Sequence, residues 1–326
     1  MIELVTSKSA ANPSLLWAAS RVLMGVDRLK ESESLCESAL KAVESKWRIR
    51  PGADALHDSL LAKQNLAEVL RATGDEKKLQ YAKKLVDEVI HSVHDLKSSK
   101  VVFDVAERAV VTQADVFNEL GNLEKAKDLY ERWLGNHTKR EGSEEVEAWT
   151  TMQLANVVWK LGDLKTADSL YKGCLRFWED HYGRTGERHT NLYLCHGSYS
   201  TLLAQVGRML ESESHARIAL DGRRETLGDN HLLTLRSYHN LATLLYEALE
   251  SDVYPSWCLD YSEAEKAANI AALGRLKQLG EEDPDTKLSL RLLEALRAKA
   301  SPPFGCEGIN SFCSLIQTHG ESCVVS

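Results

Sequence analysis

Leu120-Gly121-Asn122-Leu123-Glu124-Lys125-Ala126 and Leu161-Gly162-Asp163-Leu164-Lys165-Thr166-Ala167 are one heptapeptide written twice. In both, a tyrosine follows four residues after the alanine, at Tyr130 and Tyr171. Seven residues before each glycine stands another alanine, Ala114 or Ala155, on a leucine- and valine-rich stripe. Working outward, the same small-residue slot falls at Ser20, Ala67, Ala114, Ala155, Ser200 and Ala242, with separations of 47, 47, 41, 45 and 42 residues. The turn seven residues later holds Gly74, Gly121, Gly162 and Gly207, with Asp27 and Leu249 in the first and last copies. A second small slot follows at Ser32, Ala82, Ala126, Ala167, Ser212 and Ala264.

Each unit therefore reads as a helical hairpin. Glycine ends the first helix because it adopts the left-handed cap conformation without steric cost. Small residues let two helices approach closely while leucines fill the seam around them. A single hairpin cannot bury its apolar faces, whereas stacked hairpins share one continuous core. The expected fold is all-α, a right-handed superhelical solenoid of six hairpins over residues 1–300, with a further helix running to Ala300 and a tail over 301–326.

The pattern of a small residue, Leu-Gly-x-Leu, alanine and Leu-Tyr resembles the tetratricopeptide repeat. Its period is similar to the longer, about 42-residue variety of kinesin light chains. Leu227-Gly228-Asp229-Asn230-His231-Leu232-Leu233-Thr234 has the form of that variety's linker, and Glu282-Asp283-Pro284-Asp285-Thr286 echoes it. Two departures are expected: about three extra turn residues around Glu76-Lys77-Lys78, and an insertion from Ser251 to Asp260 carrying Pro255, Trp257 and Cys258.

Composition agrees with a helical array and excludes several classes. Glycine and proline together are 25 of 326 residues, too few for the turns of a sandwich or barrel. The charge of −8 disfavours a nucleic-acid binder, which needs a basic surface. Seven scattered cysteines, none in a CxxC pair, give neither a disulfide scaffold nor a zinc cluster. With no leader and no membrane-length apolar run, the expected setting is cytoplasmic.

In a solenoid of this kind the first helices line the concave wall. Positions two before, one after and four after the small slot should face it. That assigns Asn65, Glu68, Arg71, Asp115, Asn118, Gln153, Asn156, Trp159, Thr201, Asn240, Thr243 and Tyr246 to a groove. Amides present a donor and an acceptor together, which suits them to a peptide backbone, while the two aromatics provide anchors. The family resemblance implies the same role for asparagines at Asn65, Asn156 and Asn240. Such residues also cap helices and pair across repeats. The expected partner is a peptide segment of another protein, and no cofactor is called for. A basic carboxylate clamp finds only Arg71, with Lys125 and Arg208 nearby, opposed by Glu68 and Asp115.

Catalytic signatures are missing from the motifs, and His181, His189 and His196 match no zinc spacing. The rival reading from another class is an enzyme whose Glu68, Asp115, Trp159 and Tyr246 cradle a small molecule under the 251–260 insertion. A third is homo-oligomerisation through the exposed terminal repeats. Finally, Cys323-Val324-Val325-Ser326 has the form of a farnesylation box on Cys323, which would tether the chain to a membrane. One lipid anchors only marginally, so Cys313 or Cys306 would have to add a second.

Overall fold

The computed structural model describes residues 13–25, 28–49, 52–94, 100–136, 144–182, 189–251 and 261–300. These form thirteen α-helices: α1 (Pro13–Gly25), α2 (Leu29–Ile49), α3 (Ala53–Ala72), α4 (Glu76–His94), α5 (Lys100–Glu119), α6 (Leu123–Asn136) and α7 (Glu144–Lys160). They continue as α8 (Leu164–Tyr182), α9 (Thr190–Gln205), α10 (Met209–Leu227), α11 (Leu232–Glu250), α12 (Ser262–Leu279) and α13 (Pro284–Ala300). No described residue is in a strand.

The glycine turns take the conformation that their sequence requires. Gly74, Gly121, Gly162 and Gly207 all have positive φ, from 67° to 91°. At the clearest of them, Gly121 donates its N–H to Asn118 and Asn122 donates to Phe117, so two terminal carbonyls of α5 are satisfied. Asp163 does the complementary job one repeat later, its carboxylate accepting from the Thr166 N–H at 3.1 Å to start α8.

Both rows of small residues lie inside hairpins, and all twelve are buried. In the first and fifth copies serines replace both alanines. Ser20 and Ser32 meet Oγ to Oγ at 2.7 Å, and Ser200 and Ser212 meet at 3.2 Å. Each second-helix serine also donates to the carbonyl of its partner, at 3.0 and 2.7 Å. The hydroxyls thus satisfy one another where an alanine would leave nothing to satisfy, and close approach is kept.

Tertiary packing is one-dimensional. Every helix packs on its chain neighbours, and the remaining contacts join α1 to α3, α3 to α5, α5 to α7, α7 to α9, α9 to α11 and α11 to α13. First helices therefore pack closely on first helices along the array, whereas the described second helices reach one another through long side chains, as in the Lys78–Glu33 and Arg217–Glu263 ion pairs. That asymmetry makes the odd-numbered helices the tight inner layer and the even-numbered ones the splayed outer layer. The core is correspondingly a row of linked clusters, the central one built around Met152, Tyr171, Trp178 and Tyr199.

One expected detail is corrected. Glu76, Lys77 and Lys78 are the first turn of α4, not an enlarged loop. Asp75 caps them, its carboxylate accepting from the Lys78 N–H at 3.0 Å, so the turn after Gly74 is short and the added length lies within the hairpin's helices. The 252–260 part of the insertion and the tail with Cys306, Cys313 and Cys323 lie outside the described residues.

Candidate functional site

The inner layer holds a trough of about 440 Å³ crossing five first helices. Seven expected groove residues line it: Arg71 from α3, Asn118 from α5, Gln153, Asn156 and Trp159 from α7, Thr201 from α9 and Asn240 from α11. Their hydrogen bonds fix several of them. Asn156 donates to Gln153 Oε1 at 3.0 Å and accepts from the Tyr171 hydroxyl of the same hairpin. Asn118 accepts from Lys160 Nζ at 2.8 Å, and the Trp159 indole donates to Gln205 of the next repeat. Thr201 bonds its own helix, and Asn240 is exposed.

The other five expected residues sit elsewhere. Asn65 is buried, and its Oδ1 has no partner; it lines a separate cavity of about 60 Å³ with Trp17 and Cys36. Glu68 is taken by Arg108 of α5 at 2.7 Å and by Gln64 at 3.1 Å. Thr243 donates to the His239 carbonyl at 3.0 Å, and Tyr246 packs against Tyr261 with ring centres 6.5 Å apart.

Asp115 is a junction between repeats. Its carboxylate accepts from the Tyr130 hydroxyl, receives Gln153 Nε2 at 3.4 Å and faces Arg71 Nε at 3.7 Å. Burial pushes its pKa up, only partly offset by Arg71 and by the hydrogen bonds from Tyr130 and Gln153. Burial opposes charge on Arg71 as well, but Asp115 and Glu119 outweigh it and hold the guanidinium above its ordinary value. Neither Glu68 nor Asp115 lines the trough, so the cradle expected for the enzyme reading is not assembled in that cavity.

Sequence reasoning missed Trp149, Leu194 and Arg236, which also line the trough. All three stand six residues before a small slot, one helical turn earlier on the same face, so extending the stripe would have found them. Arg223 was harder to see, because it comes from the second helix α10. With Lys160 also lining, the trough carries Arg71, Lys160, Arg223 and Arg236 against a single carboxylate, Glu119. Lys125 and Arg208 are engaged elsewhere, Lys125 over the Phe117 ring and Arg208 with Glu211 and Asp168. The wall is cationic in a chain whose net charge is −8.

The histidines serve packing. His189 caps α9, its ring accepting from the Asn191 N–H at 3.3 Å, and it stacks on Trp178. His196 is buried with its Nδ1 2.7 Å from Nδ1 of His215, so one ring must donate and the other accept. Burial first, and His215 second, push His196 down to about 4. His239, half-buried beside Arg275, is pushed down to about 4 too, by desolvation first and the Arg275 charge second. Both therefore favour the neutral form in the folded chain. The unfolded chain binds protons first as pH falls below about 6.5, so stability should decline between about pH 6.5 and pH 4. For His196 the loss is at most on the order of 3 kcal/mol. Thermal melts across that range should show the decline, and His196→Gln should reduce it while His239 keeps the remainder.

Among described residues, no group of three or more His, Cys, Asp or Glu side chains is placed to hold a metal, and no helix is long and apolar enough to cross a membrane. A family model for the tetratricopeptide repeat matches residues 195–252. No curated protein matches the chain in sequence. Among solved structures, the chain is similar to BtubC (BKLC) from P. vanneervenii, at 17% identity and a TM-score of 0.54, covering 78% of this chain and 94% of that one. It is similar to the apo form of RapI at 12% identity and a TM-score of 0.57, covering 88% and 71%. A signal-transduction ATPase with a tetratricopeptide repeat sensor, PH0952 from Pyrococcus horikoshii, aligns at 13% identity and a TM-score of 0.50, covering 97% of this chain and 48% of that one. At such identities the likeness is one of fold. The chain is accordingly an all-α solenoid of tetratricopeptide-type hairpins, and its match to the repeat's family model falls on α9, α10 and α11.

Proposed function

We propose that the chain is a protein-interaction scaffold that holds an extended segment of a partner protein along its inner trough. The observation carrying this reading is the trough itself. Seven residues chosen for facing a groove converge there from five helices, and most of them bear amide, hydroxyl or indole groups. Amides arranged along successive helices can meet successive peptide units without dictating side chains. Trp149, Trp159 and Leu194 add apolar surface for an anchoring side chain. A short segment in such a groove binds with a Kd of about 1 μM.

Asn156 is a poor choice for testing this, since its removal strands the Tyr171 hydroxyl. Trp159 and Asn240 are better placed. The double variant Trp159→Ala, Asn240→Ala should weaken capture of the partner segment by about 10–100-fold, the range for losing one aromatic anchor and one polar contact. Circular dichroism should be unchanged. Undiminished affinity in that variant would move the binding surface off the trough.

A further inference from the structure

Arg223 is a buried cation with no counter-charge among the described residues. It is 2% exposed. Nη1 donates to Ser237 Oγ at 2.6 Å and lies 3.4 Å from the Leu233 carbonyl. Nε is buried without a hydrogen-bond partner. Nη2 lies 3.5 Å from where a Cβ on Gly197 would stand, at the trough wall. Among the described residues, no carboxylate contributes to its electrostatics. Burial pulls its pKa down, and the nearby charge of Arg236 adds to the pull.

The next repeat shows what is missing. Arg275 donates Nη1 to Ser289 Oγ at 2.7 Å and to the Asp285 carbonyl at 3.1 Å. The serine is fourteen residues on and the carbonyl ten residues on, as for Arg223. At Arg275, however, the residue ten on supplies a carboxylate, with Asp285 Oδ2 3.7 Å from Nη2. At Arg223 that position is Leu233. One scaffold is thus built twice, once with an internal counter-ion and once without. A buried guanidinium lacking a counter-ion is costly in the free protein, and a ligand oxyanion would remove that cost.

We propose that Arg223, with Arg236 beside it, is an oxyanion site that receives a carboxylate or phosphate group of the segment lying in the trough. This rests on the scaffold reading above and gives the partner a charge. Fork-shaped guanidinium donors suit both oxyanions.

The test follows the Arg223 Nε–H resonance of the full chain during titration with inorganic phosphate, N-acetyl-tetraglutamate amide and N-acetyl-tetraglutamine amide. The glutamate peptide or phosphate should shift it and the glutamine peptide should not. A response to the glutamate peptide alone assigns the site to a carboxylate, and a response to phosphate alone to a phosphate group. Leu233→Asp, which copies Asp285 at a half-buried position, should weaken the response at least tenfold while the circular dichroism stays unchanged; Arg223→Gln should weaken capture of the charged probe equally. Equal shifts from the two peptides, no shift from either charged probe, or full response in Leu233→Asp would overturn the site. Those results would leave intact a trough that still depends on Trp159 and Asn240, so the two readings fail separately.

Discussion

Replacing Asp115 by alanine should cost the protein about 3–5 kcal/mol, the range for removing one partner of a buried ion pair. The carboxylate is 7% exposed and ties three repeats together: Arg71 from the second, Tyr130 from its own, Gln153 from the fourth. Alanine leaves the guanidinium of Arg71 and the buried hydroxyl of Tyr130 without that acceptor, and both carry a desolvation cost. Asp115→Asn keeps an oxygen for Tyr130 but loses the charge opposite Arg71, so its cost should be smaller. Because solenoid stability is a sum of repeats and nearest-neighbour interfaces, the damage should be local. Amide exchange should quicken in α3, α5, α6 and α7 well before it changes in α11, α12 and α13. A uniform change, or a cost under about 1 kcal/mol, would show that the junction does not hold the repeats together.

Trp178→Ala should be about as severe, again about 3–5 kcal/mol, because a fully buried tryptophan leaves a large cavity. Its ring is 0% exposed. It stacks on His189 at 5.3 Å and on Tyr182 at 5.7 Å, with Phe177 edge-on at 5.0 Å. His189 is also the cap of α9, so the ring secures the end of α8 to the start of the next hairpin. Loss of the stack should loosen the α8–α9 junction, which forms part of the support behind Trp159 and Thr201. Denaturation of the variant, followed by exchange at the first turn of α9, checks both the magnitude and the place.

The repeat register was legible because it rests on backbone necessities. Glycine at four of the six turns answers to a left-handed cap, a small residue at each crossing answers to close helix approach, and every one of the twelve small slots is buried. The groove was legible only in part. Periodicity says which face a side chain is on, but not how closely adjacent first helices approach. Glu68 and Asp115 are on the expected face, yet Arg108 and Arg71 reach them and turn them into links between repeats. Arg236, Trp149 and Leu194 were within reach of the same pattern carried one turn further. Arg223 was not, since it depends on the superhelix bringing α10 against α11. Its distinctive feature is the Leu233 that replaces an aspartate, and this has meaning only once the Arg275–Asp285 contact is seen.

A photo-crosslinking side chain placed in turn at Thr201 and Asn240 on the inner wall, and at Glu131 and Asp221 on the outer wall, tests most directly where partners bind. All four positions are exposed, so accessibility does not bias the comparison. The account predicts one partner adduct from the inner positions, lost in the Trp159→Ala, Asn240→Ala background at the Thr201 position, and none from the outer ones. Adducts from Glu131 or Asp221 with none from the inner wall would contradict it.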